Sequence, residues 1–253
     1  MAFEDAYRDF SLQMKLPFDF PFYGHQLADI TVCTGGYVFT GATSQLWLAQ
    51  DQSISPLMAN FDVSLDDSSS VVLYEDATQV TIVWEKMQIR QKKGLKFTFA
   101  VTLYKNGDIY FAYKDIPIKI QVIKDKNYSV FVGIADSYFF NKMTYYVRRK
   151  TIHNYSRIPF NAYHIQSGSV LQLIALPSCP IYNTCEACTG HEAKYGSFKC
   201  MWCEPLRKCT SGADYFRPYM ADCPFTKTCN ATAEDNDTMP HLTFFHRVFN
   251  FAM

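Results

Sequence analysis

Hydrophobic and polar residues alternate most clearly between Phe97 and Tyr113. Phe97-Thr-Phe-Ala-Val-Thr-Leu-Tyr104 and Ile109-Tyr-Phe-Ala-Tyr113 flank Lys105-Asn106-Gly107-Asp108. A period of two marks strands with one buried face, and Asn-Gly tolerates the positive backbone angles of a tight turn, so this stretch predicts an antiparallel hairpin. Thr78–Trp84 alternates as a half-buried strand. Ile30–Gly41 predicts a second hairpin around Gly35-Gly36, and Leu16–Tyr23, with two prolines, an edge strand or extended arm. Asp51–Asp62 reads as a loop, and Asp66, Asp67 and Ser68–Ser70 as a polar turn before a strand at Val71–Tyr74. Further strands are expected at Lys119–Ile123, Ser129–Ile134, Thr144–Arg148 and Ser169–Leu176. No long stretch of helical period lies between them, which favours an antiparallel sandwich or barrel-like fold.

The pattern changes at Pro177-Ser178. Eight of the nine cysteines fall between Cys179 and Cys229, and only Cys33 precedes them. The spacing runs Cys179, five residues, Cys185, two, Cys188, eleven, Cys200, two, Cys203, five, Cys209, thirteen, Cys223, five, Cys229. So short a segment buries too little apolar surface to hold itself together without staples. Four disulfides would make a small exported module. Alternatively, Cys185-x-x-Cys188 and Cys200-x-x-Cys203 would form the paired knuckles of a zinc site, or one pair would act in redox catalysis. Zinc leaves Cys179, Cys209, Cys223 and Cys229 without a role, and no βαβ pattern surrounds the pairs, so the cysteine arithmetic favours disulfides. Cys33 reads as a small buried hydrophobe, with an intermolecular disulfide as the alternative.

Four Asn-x-Ser/Thr triplets, at Asn127, Asn154, Asn230 and Asn236, are candidate glycosylation sites and fit an exported chain. Met1–Met14 holds no apolar leader core, and no run of 18 or more apolar residues is long enough to span a bilayer. The expected reconciliation is a partial protein that lacks its leader and an anchor.

The run Cys185-Glu-Ala-Cys188, then Lys199-Cys200-Met-Trp202-Cys203, then Cys209 resembles the plexin-semaphorin-integrin (PSI) module, over about one fifth of the chain. That resemblance implies the pairs Cys179–Cys200, Cys185–Cys229, Cys188–Cys209 and Cys203–Cys223. Upstream, Ile54-Ser-Pro-Leu-Met-Ala-Asn-Phe-Asp62, Val83-Trp-Glu85, Phe97–Leu103 and Gly133-Ile-Ala-Asp136 resemble the nidogen-type extracellular β domain. Together with LPFDFPFYGH and ITVCTGGYVFTG ahead of them, the order of parts resembles the plexin domain-containing, or tumour endothelial marker, family. The expected layout is an N-terminal arm over 1–15, a nidogen-like β domain over 16–177, a PSI module over 178–230 and a linker-like tail over 231–253. The resemblance implies a single-pass type I membrane protein whose ectodomain binds a serpin-like secreted factor or a basement-membrane component.

Charge narrows the partners. Lys plus Arg and Asp plus Glu are 24 each, which leaves no overall basic field for nucleic acid or an acidic membrane, and Arg148-Arg149-Lys150 reads as a solvated strand end. Asp62, Asp66 and Asp67 offer hard oxygen atoms, but not at the spacing of an EF-hand loop, and read as a solvated acidic turn. Gly-x-Ser-x-Gly, a phosphate-binding glycine loop and His-Glu-x-x-His are all absent, and His191-Glu192 lacks its second histidine. His25 and His164 have no neighbours that suggest a ligand set. No catalytic residue, metal or cofactor is assigned. The expected function is a non-enzymatic extracellular ligand-binding region of a cell-surface receptor or adhesion protein. The alternatives are a secreted structural protein of the extracellular matrix and an intracellular zinc protein.

Overall fold

A computed structural model describes residues 10–42, 46, 48–125, 128, 130–144, 147–160, 165–190, 199–212, 214–216, 223–226, 229 and 246–250, with the backbone alone over 139–144, 147–150, 226 and 246–250. Two six-stranded antiparallel sheets pack face to face. The first holds β1 (Ser11–Phe22), β2 (His25–Cys33), β3 (Tyr37–Phe39), β4 (Ser53–Met58), β9 (Phe131–Thr144) and β10 (Val147–Pro159), in that spatial order. The second runs β15 (His246–Asn250), β11 (Ser169–Leu173), β8 (Ile109–Asp115), β7 (Lys92–Tyr104), β6 (Gln79–Ile89) and β5 (Ser70–Glu75). Each sheet has two edges, so the fold is an open sandwich and not a closed barrel.

The alternation dictates which face goes inward. Val80, Ile82 and Trp84 of β6, Phe99, Val101 and Leu103 of β7, and Ile109, Phe111 and Tyr113 of β8 are all buried. Opposite them stand Phe20, Phe22, Ile30, Val38, Ile54 and Leu57 of the first sheet, in the same core. Trp84 stacks on Phe99 and donates its indole N–H to the Cys33 carbonyl at 2.9 Å, which ties the two sheets together. The Cys33 thiol is itself buried, which favours the reading as a small buried hydrophobe over an intermolecular disulfide.

The structure departs from the sequence pattern at several places. Residues 51–62 are not a loop throughout: Ser53–Met58 is a fully buried strand, β4, in the middle of the first sheet. Pro56 disguised it, since proline cannot donate to a ladder. The register between β4 and β9 shifts between Ser55 and Met58, which accommodates the missing N–H, and the Tyr113 hydroxyl donates to the Pro56 carbonyl at 2.7 Å. Lys119–Ile123 is not a strand. Ile120–Val122 forms a single 3₁₀ turn that buries Ile120. Thr144–Arg148 is not one strand either, because Thr144 ends β9 and Val147 opens β10 in register with it. β1 begins at Ser11, where it faces Cys33, and the C-terminal His246–Asn250 lies beside β11.

The cysteine module follows β11. It has a one-turn helix, α1 (Cys185–Thr189), capped by the Thr184 hydroxyl, and a small sheet of β13 (Lys208–Thr210), β12 (Met201–Cys203) and β14 (Phe225–Thr226). Its core is little more than sulfur and one indole: Cys179, Cys188, Cys209 and Trp202. Bridges join Cys179–Cys200, Cys185–Cys229, Cys188–Cys209 and Cys203–Cys223, the four pairs that the PSI resemblance implies.

Candidate functional site

The two parts of the chain meet around the β1–β2 turn. Tyr23 and Gly24 make this turn with φ of 48° and 86°, and Gly24 lies flat against Pro180 of the module. One residue on, His25 stacks on Tyr215 of the module with ring centroids 4.3 Å apart. The His25 Nε2 atom sits 2.7 Å from the Asp136 carboxylate, which is 2% exposed and also receives the Tyr155 hydroxyl. Behind it, the Ser156 hydroxyl donates to the Tyr23 hydroxyl at 2.8 Å, and the Tyr23 and Tyr155 rings meet edge to face.

Burial raises the Tyr155 hydroxyl far above the usual phenol range, and the neighbouring Asp136 carboxylate raises it further. Tyr23 is likewise raised by burial, against a smaller opposing effect of the Ser156 hydrogen bond. Both phenols therefore remain protonated; Tyr155 donates its proton to Asp136, while the Tyr23 oxygen accepts from Ser156. Ser156 donates to Tyr23 and not to His25, so the cluster contains no serine–histidine nucleophile pair. These contacts fasten the first hairpin, β9, β10 and the module to one another, and the cluster acts as a fastener between them.

Beside the fastener a cleft of about 350 Å³ opens between the two parts. Pro21 and Gln26 flank it from the β1–β2 hairpin, Asn106-Gly107 from the β7–β8 turn, Ala175 from the connecting segment, and Pro180-Ile181 from the module. Gly107 sits at φ 96°, and a Cβ there would come within 2.9 Å of Ala175, so the hairpin turn closes tightly on the connector. The Ala175 amide donates to the Asp108 carboxylate at 2.8 Å, which pins the connector to the same turn. Asp214 holds the far wall by accepting from the Thr210 hydroxyl and the Ser211 amide. The result is a mostly apolar recess, large enough for one or two bulky side chains, with Ile181 half exposed at its lip.

The residues singled out in the sequence fall in different places. His25 belongs to the fastener. His164, His191 and Glu192, and the triplets at Asn127, Asn230 and Asn236, lie outside the described residues. Asn154 is exposed on β10 and donates to Asp51 at 3.0 Å. Asp62 accepts from the Ser64 amide and hydroxyl and pairs with Arg90 at 2.8 Å, while Asp66 serves Ser68, Gln88 and Lys96. Asp67 is exposed, so the three carboxylates share no site. Among the described residues, Cys179, Cys200 and Cys209 have the one grouping of sulfurs close enough for a metal, and all three are in disulfides, which offer no thiolate. Each Cys-x-x-Cys pair is split between two bridges, unlike a zinc knuckle or a redox pair. Missed in the sequence were Asp136 and Tyr215, which meet His25 only through the fold, and Tyr155, which joins them through Asp136.

An open antiparallel sandwich with a disulfide-stapled module docked at one end defines an extracellular-type β protein. Residues 3–162 match the family described as NIDO related, and the chain belongs to that family. No solved structure matches it. Among the described residues no helix is long and apolar enough to cross a membrane.

Proposed function

We propose that the chain is the non-enzymatic, ligand-binding part of a cell-surface receptor or adhesion protein of the plexin domain-containing type. The C-terminal module is then a PSI module, and the ligand is an extracellular protein, either a serpin-like secreted factor or a basement-membrane component. The observation that carries this reading is the recess at the junction. Its walls come from both parts, and the fastener and the disulfides hold them in place before any ligand arrives. A pre-formed site loses little ordering entropy on binding. Attachment to the plasma membrane rests on a segment outside this sequence, and the asparagine triplets would carry glycans.

The test is binding of the secreted, oxidised chain to an immobilised serpin of the pigment epithelium-derived factor type and to basement-membrane extract. Gln26→Arg with Ile181→Arg places two cations at the mouth of the recess, where both residues are exposed. Saturable binding by the parent, lost in the double variant at unchanged Tm, is expected. No binding by the parent, or equal binding by both proteins, overturns the reading.

A further inference from the structure

At the end of the first sheet, β9 pairs with β4 only from Phe131 to Ala135, yet it continues to Thr144 with β10 as its partner. Among the described residues no third strand pairs with Tyr138–Thr144. The β9–β10 hairpin therefore leaves the sheet as a two-stranded arm roughly 20 Å long, at about 3.4 Å per residue. Thr151 to Asn154 on its outer strand are all exposed.

The charge along this arm is one-sided. No Asp or Glu occurs between Asp136 and Glu186, although the chain holds 24 of them, and Lys142, Arg148, Arg149, Lys150 and Arg157 all fall in that interval. Arg157 is engaged at the base, 4.7 Å over the Phe131 ring. The other four occupy the outer end. Lys142 stands directly opposite Arg149, while Arg148 faces Met143 and Lys150 faces Asn141, so each face of the ribbon has two cationic positions. Like charges in directly opposed positions destabilise a two-stranded ribbon, and a bound anion relieves that repulsion. In sequence only Arg148-Arg149-Lys150 is visible as a run. The register adds Lys142 and shows that the run lies on the two-stranded stretch beyond the pairing with β4.

We propose that this arm binds a linear polyanion, and that the polyanion is a sulfated polysaccharide. The four disulfides indicate an oxidising, extracellular-type setting, where sulfated polysaccharide rather than nucleic acid supplies a dense line of negative charge. Counterion release from such a chain provides the affinity, and the cations on both faces let it be gripped along the ribbon. This site lies apart from the junctional recess and does not depend on it.

The experiment measures binding of the full oxidised chain to a heparin octasaccharide as a function of salt. Its comparison proteins are Lys142→Gln/Arg148→Gln/Arg149→Gln/Lys150→Gln and a control, Lys92→Gln/Lys93→Gln, which removes two exposed cations from β7. Expected are binding by the parent and the control, a loss of about tenfold or more in the fourfold variant, and a salt slope lower by roughly one for each cation removed. Should the fourfold variant fail to fold, Lys142→Gln/Arg149→Gln takes its place, with a smaller loss of affinity. No heparin binding by the parent, an equal loss in the control, or binding confined to phosphatidylserine vesicles overturns the proposal.

Discussion

Gly24 lies so close to Pro180 that a β-carbon on it would stand 2.7 Å from the ring Cγ. The contact joins the first hairpin of the β domain to the first turn of the module, so the identity of residue 24 governs how the two parts dock. Gly94 provides the internal control: its φ of 87° matches the 86° of Gly24, but nothing lies within 4 Å of its virtual Cβ. Gly94→Ala should cost about 1 kcal/mol of backbone strain alone. Gly24→Ala should cost that plus the clash, and should raise protease cleavage in the 174–178 connector, which Gly94→Ala should not. Equal Tm values and equal cleavage for the two variants would show that the contact carries no weight.

The sulfur chemistry predicts a thiol count. With eight cysteines bridged and Cys33 buried, the native chain should react with no aromatic disulfide reagent, and the chain unfolded without reductant should expose one thiol. Removing a bridge as a Cys→Ser pair should cost about 2–5 kcal/mol. Cys185–Cys229 closes a separation of 44 residues against 21 for Cys179–Cys200. By chain entropy its loss should cost roughly 0.7 kcal/mol more. Thermal unfolding of the two paired variants checks the order.

Asp62 makes part of the fold sensitive to acid. Burial pushes its carboxyl up, but the Ser64 hydroxyl and amide and the Arg90 guanidinium together hold it below the usual carboxylate value. The folded chain therefore binds that proton more weakly than the unfolded chain does. Its stabilising contribution is complete above the unfolded value of about 4 and disappears as the pH falls through the folded value. Asp62→Asn should cost about 1–2 kcal/mol at pH 7. The difference from the parent should shrink below about pH 4, measured by denaturant unfolding across the acid range.

The parts of the fold that sequence revealed are those in which local pattern and tertiary demand agree. Phe97–Tyr113 alternates, turns at Asn106-Gly107 and becomes β7 and β8. Ile30–Gly41 behaves in the same way around Gly35-Gly36. Where tertiary structure overrides local chemistry, the pattern misleads. Pro56 disguised the buried β4 because the relief lies in a register shift against β9, a partner some 75 residues away. The long β9–β10 hairpin was hidden because its two strands are aromatic and polar by turns without a strict period. The junction was the least legible part. Asp136 lies 111 residues from His25, and Tyr215 comes from a different part of the chain, so no local motif announces them.

Buried phenols set a matching limit at the alkaline end. Burial holds the Tyr113 hydroxyl above the ordinary value of about 10, and Tyr155 and Tyr23 are raised by burial with a further push from Asp136. The folded chain thus holds these protons more tightly than the unfolded one. Their contribution is complete below about pH 10 and is lost as the pH rises from there toward the folded values. Alkaline unfolding should therefore begin above about pH 10, with these three side chains contributing to it. Tyr155→Phe removes the hydroxyl that reaches Asp136 and leaves a carboxylate that is 2% exposed with one fewer donor, so it should cost about 1–3 kcal/mol at pH 7. Tyr113→Phe strips the Pro56 carbonyl of its donor at 2.7 Å and should cost about 1–2 kcal/mol. Each variant should also unfold at a higher pH relative to its own neutral stability, because one titrating phenol has gone. Urea unfolding at pH 7 and pH 11 separates the two effects. A variant that loses stability equally at both values would show that its phenol titrates alike in the folded and unfolded chains and plays no part in the alkaline transition.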